Sequence, residues 1–134
     1  MNDSLTNVIV VSMDVIELLQ SKHSPFDGRT YISLYVPGSA PIQTVIAQLE
    51  HEVKRSENST NWKIKGVVVM MLKNMISRLS EEFPEKFPER GKAIFAVPTD
   101  HLTADIEIIE PKKEAIDIFT YNLDVEFYVN DDFF

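Results

Sequence analysis

Six basic side chains crowd the stretch from Val53 to Arg78. Lys54, Arg55, Lys63, Lys65, Lys73 and Arg78 stand there against the single acid Glu57, a local net charge of +5. Ammonium and guanidinium groups are donors only, and a guanidinium fits two phosphate oxygens at once. Such a cluster is chemistry for phosphate, and Lys54, Arg55, Lys63 and Lys65 are the predicted contacts. A solvated helix surface is the plainer alternative. The rest of the chain is charged differently. Residues 1–98 balance 11 acids with 11 bases, whereas residues 99–134 carry 10 acids against Lys112 and Lys113 alone, and the whole chain sums to −8. An acidic protein therefore carries one basic end.

The sequence predicts no other chemistry. Gly28, Gly38, Gly66 and Gly91 are isolated, so no glycine-rich phosphate loop exists. His23, His51 and His101 share no ligand spacing, and His51 and Glu52 are adjacent on a helix, pointing apart. The chain has no cysteine, which removes thiolate metal sites and disulfides. Glu81-Glu82 and Asp131-Asp132 read as solvated ends of elements. No strained nucleophile motif is present. The expectation is no catalytic residue, no metal and no cofactor.

The elements that must position the basic end are a pair of helices. From Asn61 to Leu79, Ile64, Val67, Val68, Met71, Leu72, Met75, Ile76 and Leu79 recur at helical spacing around most of the circumference. A helix that apolar needs cover on two sides. Ile42, Val45, Ile46, Leu49 and Val53 form a narrower stripe on the preceding helix, and the two should make an antiparallel hairpin, over about 41–82, joined by a polar turn at 55–60. The other cover should be a sheet. Tyr31–Val36 reads as a strand with Ile32, Leu34 and Val36 on one face and Tyr31 and Tyr35 on the other. Further β-prone runs are 92–97, 104–109, 116–121 and 125–129. An N-terminal helix is predicted to start at Ser12, with Asp14 and Glu17 in its first turns, led into by Leu5, Val8, Ile9 and Val10, and to end near Lys22. The expected fold is α+β, a mixed or antiparallel sheet of four to five strands, β-rich over 92–130, packed against the hairpin and the first helix. With 134 residues the chain is one domain, 1–134. It holds no run of about 20 apolar residues and no basic leader, so the expected setting is cytoplasmic, with no membrane.

The pieces resemble, in order and spacing, the N-terminal codon-reading domain of class-1 release factors of the eukaryotic and archaeal type. Gly28-Arg29-Thr30-Tyr31-Ile32-Ser33-Leu34-Tyr35-Val36-Pro37 is similar to the family's Gly-Thr-Ser-(x)-Ile-Ser-Leu-(x)-(x)-Pro strand. Pro41-Ile42, Val45, Leu49 and Glu52 match the next helix in phase. Asn58 stands where the Asn-Ile-Lys-Ser loop begins, and Val69 and Arg78-Leu79 continue the register. Gly91-Lys92-Ala93-Ile94-Phe95 resembles the following strand, and the run from Ile109-Glu110-Pro111 to Phe127-Tyr128 resembles the last strand pair. The likeness covers about residues 12–130.

The resemblance implies a four-stranded sheet between helices, with the hairpin projecting its loop into the ribosomal decoding site to read a stop codon in messenger RNA. It also implies the codon-facing residues. The loop is Asn58-Ser59-Thr60-Asn61, with threonine where the family has lysine. The Tyr-(x)-Cys-(x)(x)(x)-Phe element becomes Tyr121 to Phe127, with Leu123 replacing cysteine. Gly28 and Thr30 keep part of the Gly-Thr-Ser element, and Glu52 keeps the recognition glutamate. Core packing for Tyr121 and Phe127, and an exposed helix acid for Glu52, remain the alternatives. The family's hydrolytic Gly-Gly-Gln has no counterpart, so the chain is expected to be a fragment of a longer factor or a free-standing relative, acting in termination or ribosome rescue without peptidyl-tRNA hydrolysis of its own. A second reading keeps the fold and loses codon reading. It makes the acidic C-terminal face, ending Asp131-Asp132-Phe133-Phe134, a docking surface for a basic protein partner.

Overall fold

Alternation along β1 (Tyr31–Val36) divides the core in two. The computed structural model describes residues 15–130. The predicted Ser12 cap, Asp14, the 5–10 lead-in and the 131–134 tail lie outside them. Strand β1 pairs with β2 (Lys92–Pro98) on one side and β4 (Thr120–Asp124) on the other, and β2 pairs with β3 (Ala104–Ile109). The order is β3-β2-β1-β4, every pair antiparallel. Leu34 thus lies opposite Ile94 and Tyr121, and Ile32 opposite Ala96 and Leu123.

One face of the sheet buries Ile32, Leu34, Val36, Ile94 and Ala96 against the helical hairpin. The hairpin is α2 (Ile42–Glu57) and a second helix that begins at residue 62, passes through a π-helical turn (Ile64–Val68) and continues as α3 (Val69–Glu82). Ile42, Val45, Leu49 and Val53 form the buried stripe of α2. Met71, Leu72, Met75 and Leu79 are fully enclosed because α2 and the sheet cover α3 together. The helix stops where Pro84 forbids continuation, and the Phe83 and Phe87 rings pack 4.5 Å apart.

The other face carries Tyr35, Ala93 and Phe95, covered by Val15 and Leu19 of helix α1, which occupies residues 15–21 among those described, and by Ile116. Lys22, just past α1, bonds to Asp105 and reaches Glu107 at 3.6 Å, tying this helix to β3. Burial pulls the Lys22 ammonium down, but the bond and charge of Asp105, and then Glu107, outweigh it and hold it above its ordinary value. Covered on both faces, β2 is buried from Ala93 to Pro98, which is why its sequence reads as one apolar run.

Two expected strands are corrected. Pairing over 116–121 starts only at Thr120 and runs on to Asp124. Ile116 is already committed: its carbonyl accepts from Gly38 N (2.8 Å) and its N–H donates to Arg90 O (3.1 Å). It therefore anchors loops instead of joining the ladder. No strand forms over 125–129, and the sheet has four strands among the described residues, within the expected four to five. Asp124 Oδ1 accepts from Val125 N at 2.8 Å, turning the chain off the sheet edge. The segment then crosses the α1 face, where side chains of β1 satisfy its backbone. Tyr128 N donates to Ser33 Oγ, and Asn130 N to the Tyr35 hydroxyl, each at 2.8 Å. No helix among the described residues is long and apolar enough to cross a membrane.

Candidate nucleic-acid interface at the hairpin root

The last two turns of α2 place Glu52 and Arg55 on the side of the hairpin that looks toward β4. There they line a cleft of about 420 Å³ with Arg29, Ser56, Ser59, Ile64, Tyr121 and Leu123. The i, i+3 spacing lets Arg55 Nη1 reach both Glu52 oxygens, at 3.2 and 3.3 Å. The two side chains differ in exposure, 19% for Glu52 and 68% for Arg55, so the carboxylate is set in the wall and the guanidinium is free to swing. Tyr121 comes up from β4, opposite Leu34. Its phenol is pushed well above the ordinary range, first by burial and then by the Glu52 carboxylate, with Arg55 acting in the opposite sense. It stays a protonated donor at neutral pH and makes no hydrogen bond within the described residues. A fixed acceptor, a phenol donor and two guanidinium groups thus share one concave surface. Glu52 also lines a second groove of about 670 Å³, along α2 past His51, Gln48 and Gln43, with Phe119 on its far side.

The hairpin tip is built by caps. Asn58 closes α2, its N–H returning to Lys54 O at 3.3 Å. Ser59 Oγ accepts from Asn61 N at 3.1 Å. Asn61 Oδ1 accepts from Lys63 N (2.9 Å) and Ile64 N (3.4 Å), and Lys65 N donates to Asn61 O (2.9 Å). Asn61 is therefore the N-cap of the second helix, its side-chain oxygen spent on backbone. Val69 N–H then reaches back five residues to Ile64 O, the π-turn that follows the tip.

The sequence-predicted residues divide accordingly. Glu52, Ser59, Tyr121 and Arg55 share the cleft. Asn58 and Thr60 are exposed at the tip beyond it. Thr30 is fully buried, its hydroxyl bonded to Ser24 Oγ at 2.7 Å, so it holds the 24–30 loop. Gly28 has φ +87°, a left-handed conformation that favours glycine, and its backbone lies near Lys63 Nζ, which would be 3.4 Å from a Cβ placed there. Phe127 lies on the opposite face of the sheet, edge-on to Tyr31 (4.9 Å) and Phe95 (5.5 Å). Lys54 points to the far side of the hairpin, toward Glu57 and Lys73. Lys65 is exposed. Lys73 pairs with Glu57 at 3.9 Å and Arg78 with Glu82 at 3.4 Å. Arg29, Lys54, Lys63 and Lys65 have no carboxylate in ion-pair reach among the described residues. Among those residues no three His, Asp or Glu side chains converge as a metal site.

Arg29, Ser56, Ile64 and Leu123 were not predicted as wall residues. Arg29 had a signal, a cation flanked by Gly28 and Thr30. It stands outside the basic stretch from Val53 to Arg78 because its loop is far from the hairpin in sequence.

A hairpin-on-sheet α+β domain with a polar cleft at the hairpin root is the class of domain seen here. The chain belongs to the family described as eRF1 domain 1, which it matches over residues 13–131. Two solved structures share the fold at a TM-score of 0.72 and 21% identity, one described as an archaeal protein and the other as the archaeal translation termination factor aRF1. Each likeness covers 87% of this chain but only 32% and 31% of those chains, so this chain spans about a third of their length. No curated protein sequence matches it.

Proposed function

We propose that this release-factor-like domain binds messenger RNA in the decoding site of the ribosome, in termination or in ribosome rescue, and that its part is recognition and not hydrolysis. The observation that carries the reading is the convergence of Glu52, Tyr121, Arg55 and Arg29 on one cleft. A carboxylate accepts only, so Glu52 favours a base edge that presents an amine and disfavours one that presents a carbonyl. The protonated phenol beside it donates to a ring nitrogen or carbonyl. Arg29 and Arg55 suit the flanking phosphates. The setting is the cytoplasm, where ribosomes work.

The test is co-sedimentation with ribosomes at two salt concentrations. Arg29→Glu/Arg55→Glu should lower binding and flatten its salt dependence, because each lost phosphate contact removes counterion release. Lys54→Glu, on the far side of the hairpin, should change binding less. Wild-type binding by the double variant would remove the proposed interface. A second reading, docking of a basic protein on the acidic C-terminal third, is favoured by the exposed Ile118, Val125 and Tyr128 there.

A further inference from the structure

Trp62 is the only tryptophan of the chain, and it is 66% exposed at the hairpin tip. Large aromatic rings elsewhere in the fold are used. Tyr35, Phe87 and Phe95 are buried, and Tyr31 packs on Phe127. Trp62 has no such partner. Its one ring contact within the described residues is the Lys63 ammonium, 6.0 Å from the ring centre. It is also held in place. Asn61 caps the helix immediately before it, so the indole stands on the first helical residue and not on a loose loop.

We infer that Trp62 is a stacking platform for one unpaired base of a single-stranded RNA. The inference rests on the RNA-binding reading above and names a contact that the cleft does not supply. Charge selects this occupant. The indole is flanked by Lys63 and Lys65, which have no ion-pair partner among the described residues, and the nearby acid Glu57 faces Lys73. Lys63 Nζ lies near both the ring and Gly28, so the phosphate of a base stacked on Trp62 meets a cation beside it. The other strongly exposed apolar side chains in the second half of the chain, Leu102, Ile118 and Val125, sit instead among the acids of residues 99–134. An apolar ring in a basic setting fits the π-face of a base followed by a phosphate, and any base can supply that face.

The single indole makes the test direct. The intact chain is titrated with a short, 5′-labelled uridine-rich RNA. Label anisotropy reports binding, and indole emission reports stacking. Quenching that tracks the anisotropy is expected, and both should weaken as salt rises. Trp62→Leu should lower affinity about tenfold, the scale of one base–aromatic stack, while Trp62→Phe retains most of it. Circular dichroism is expected to match wild type, since the exposed ring supports no core. Binding with unchanged emission and an unaffected Trp62→Leu overturns the inference and leaves the RNA-binding reading standing. No binding of RNA also overturns it, and ribosome co-sedimentation then decides the broader reading separately. If Trp62→Leu loses ribosome binding but not RNA affinity, the ring meets protein and the inference fails.

Discussion

Glu52 is the residue on which the recognition reading can be broken most cleanly. Replacing it with Met keeps the length of the side chain and removes the acceptor; replacing it with Gln keeps a neutral acceptor. The structure sets the effect on stability. Among the described residues the ion pair lost is the one with Arg55, whose side chain is 68% exposed and lies one turn along the same helix. Such pairs contribute about 0.5 kcal/mol or less, because solvent screens them and ordering a long side chain costs entropy. Urea midpoints should therefore scarcely move. Recognition should move more. A carboxylate that accepts from a base amine in a recessed wall is worth about 1–3 kcal/mol of discrimination against a base lacking the amine. A neutral acceptor gives roughly half of that. The assay is competition binding to ribosomes carrying messenger RNA with adenosine or with purine riboside, which lacks the amine, in the decoding site. Wild type should prefer adenosine by about tenfold, Glu52→Gln less, and Glu52→Met not at all. Equal preference in all three would show that Glu52 reads nothing. A loss of several kcal/mol in the urea melt would show that it is structural, and the cleft would lose its recognising group.

The remaining expectations concern the supports of the site. Asn61→Ala removes the cap of the second helix and should cost about 1 kcal/mol in urea melts, with faster hydrogen exchange at the Lys63 and Ile64 amides; unchanged exchange there would mean that the cap does not hold the tip. Tyr121 links the cleft to alkaline stability. Its folded phenol titrates above the ordinary 10.0, so the native state keeps a proton that the unfolded chain releases. Stability is flat below that pH and falls as pH rises through it toward the folded value. Tyr121→Phe should lose part of this alkaline decline, read as a smaller drop in urea midpoint between about pH 9 and pH 11. Identical declines would refute the raised phenol.

Periodicity made the hairpin and the first two strands of the sheet legible. Apolar residues around most of the second helix demanded two covers, and α2 and the sheet supply them. The alternation in Tyr31–Val36 assigned faces that the two buried clusters reproduce. Strand 104–109 forms with the bounds expected, but the runs 116–121 and 125–129 do not, because β-propensity reports a fit to a packed surface and not ladder pairing. Ile116 is buried, and in the 125–129 segment Phe127 and Val129 pack on the second cluster while Val125 and Tyr128 stay exposed. Their backbone groups, however, bond to loop carbonyls and amides, Ser33 Oγ and the Tyr35 hydroxyl. Those partners lie about 80 to 95 residues away, or in loops, and no local pattern announces them.

The site divides along the same line. Glu52, Arg55, Ser59 and Tyr121 could be proposed together only through the family resemblance, since 62 positions separate Ser59 from Tyr121. The sheet register then brings Tyr121 beside the hairpin by pairing it with Leu34. Where the prediction assigned side chains to a ligand, competing backbone demands often took them first. Asn61 caps a helix and Thr30 pins a loop, because short polar side chains bond most easily to the backbone next to them. Phe127 went to the other face because the chain leaves the sheet at Asp124, which ends the alternation that would have kept it with Tyr121. Long cations are the opposite case. Arg29, Lys63 and Lys65 have too much reach and too few local acceptors to be absorbed by the fold, so their charge stays available at the tip and root of the hairpin. At the root and tip of the hairpin the fold presents positive charge, the Glu52 carboxylate, the Tyr121 phenol and the Trp62 indole. In the proposed function, those groups hold a single strand of RNA by its phosphates, its edges and its rings.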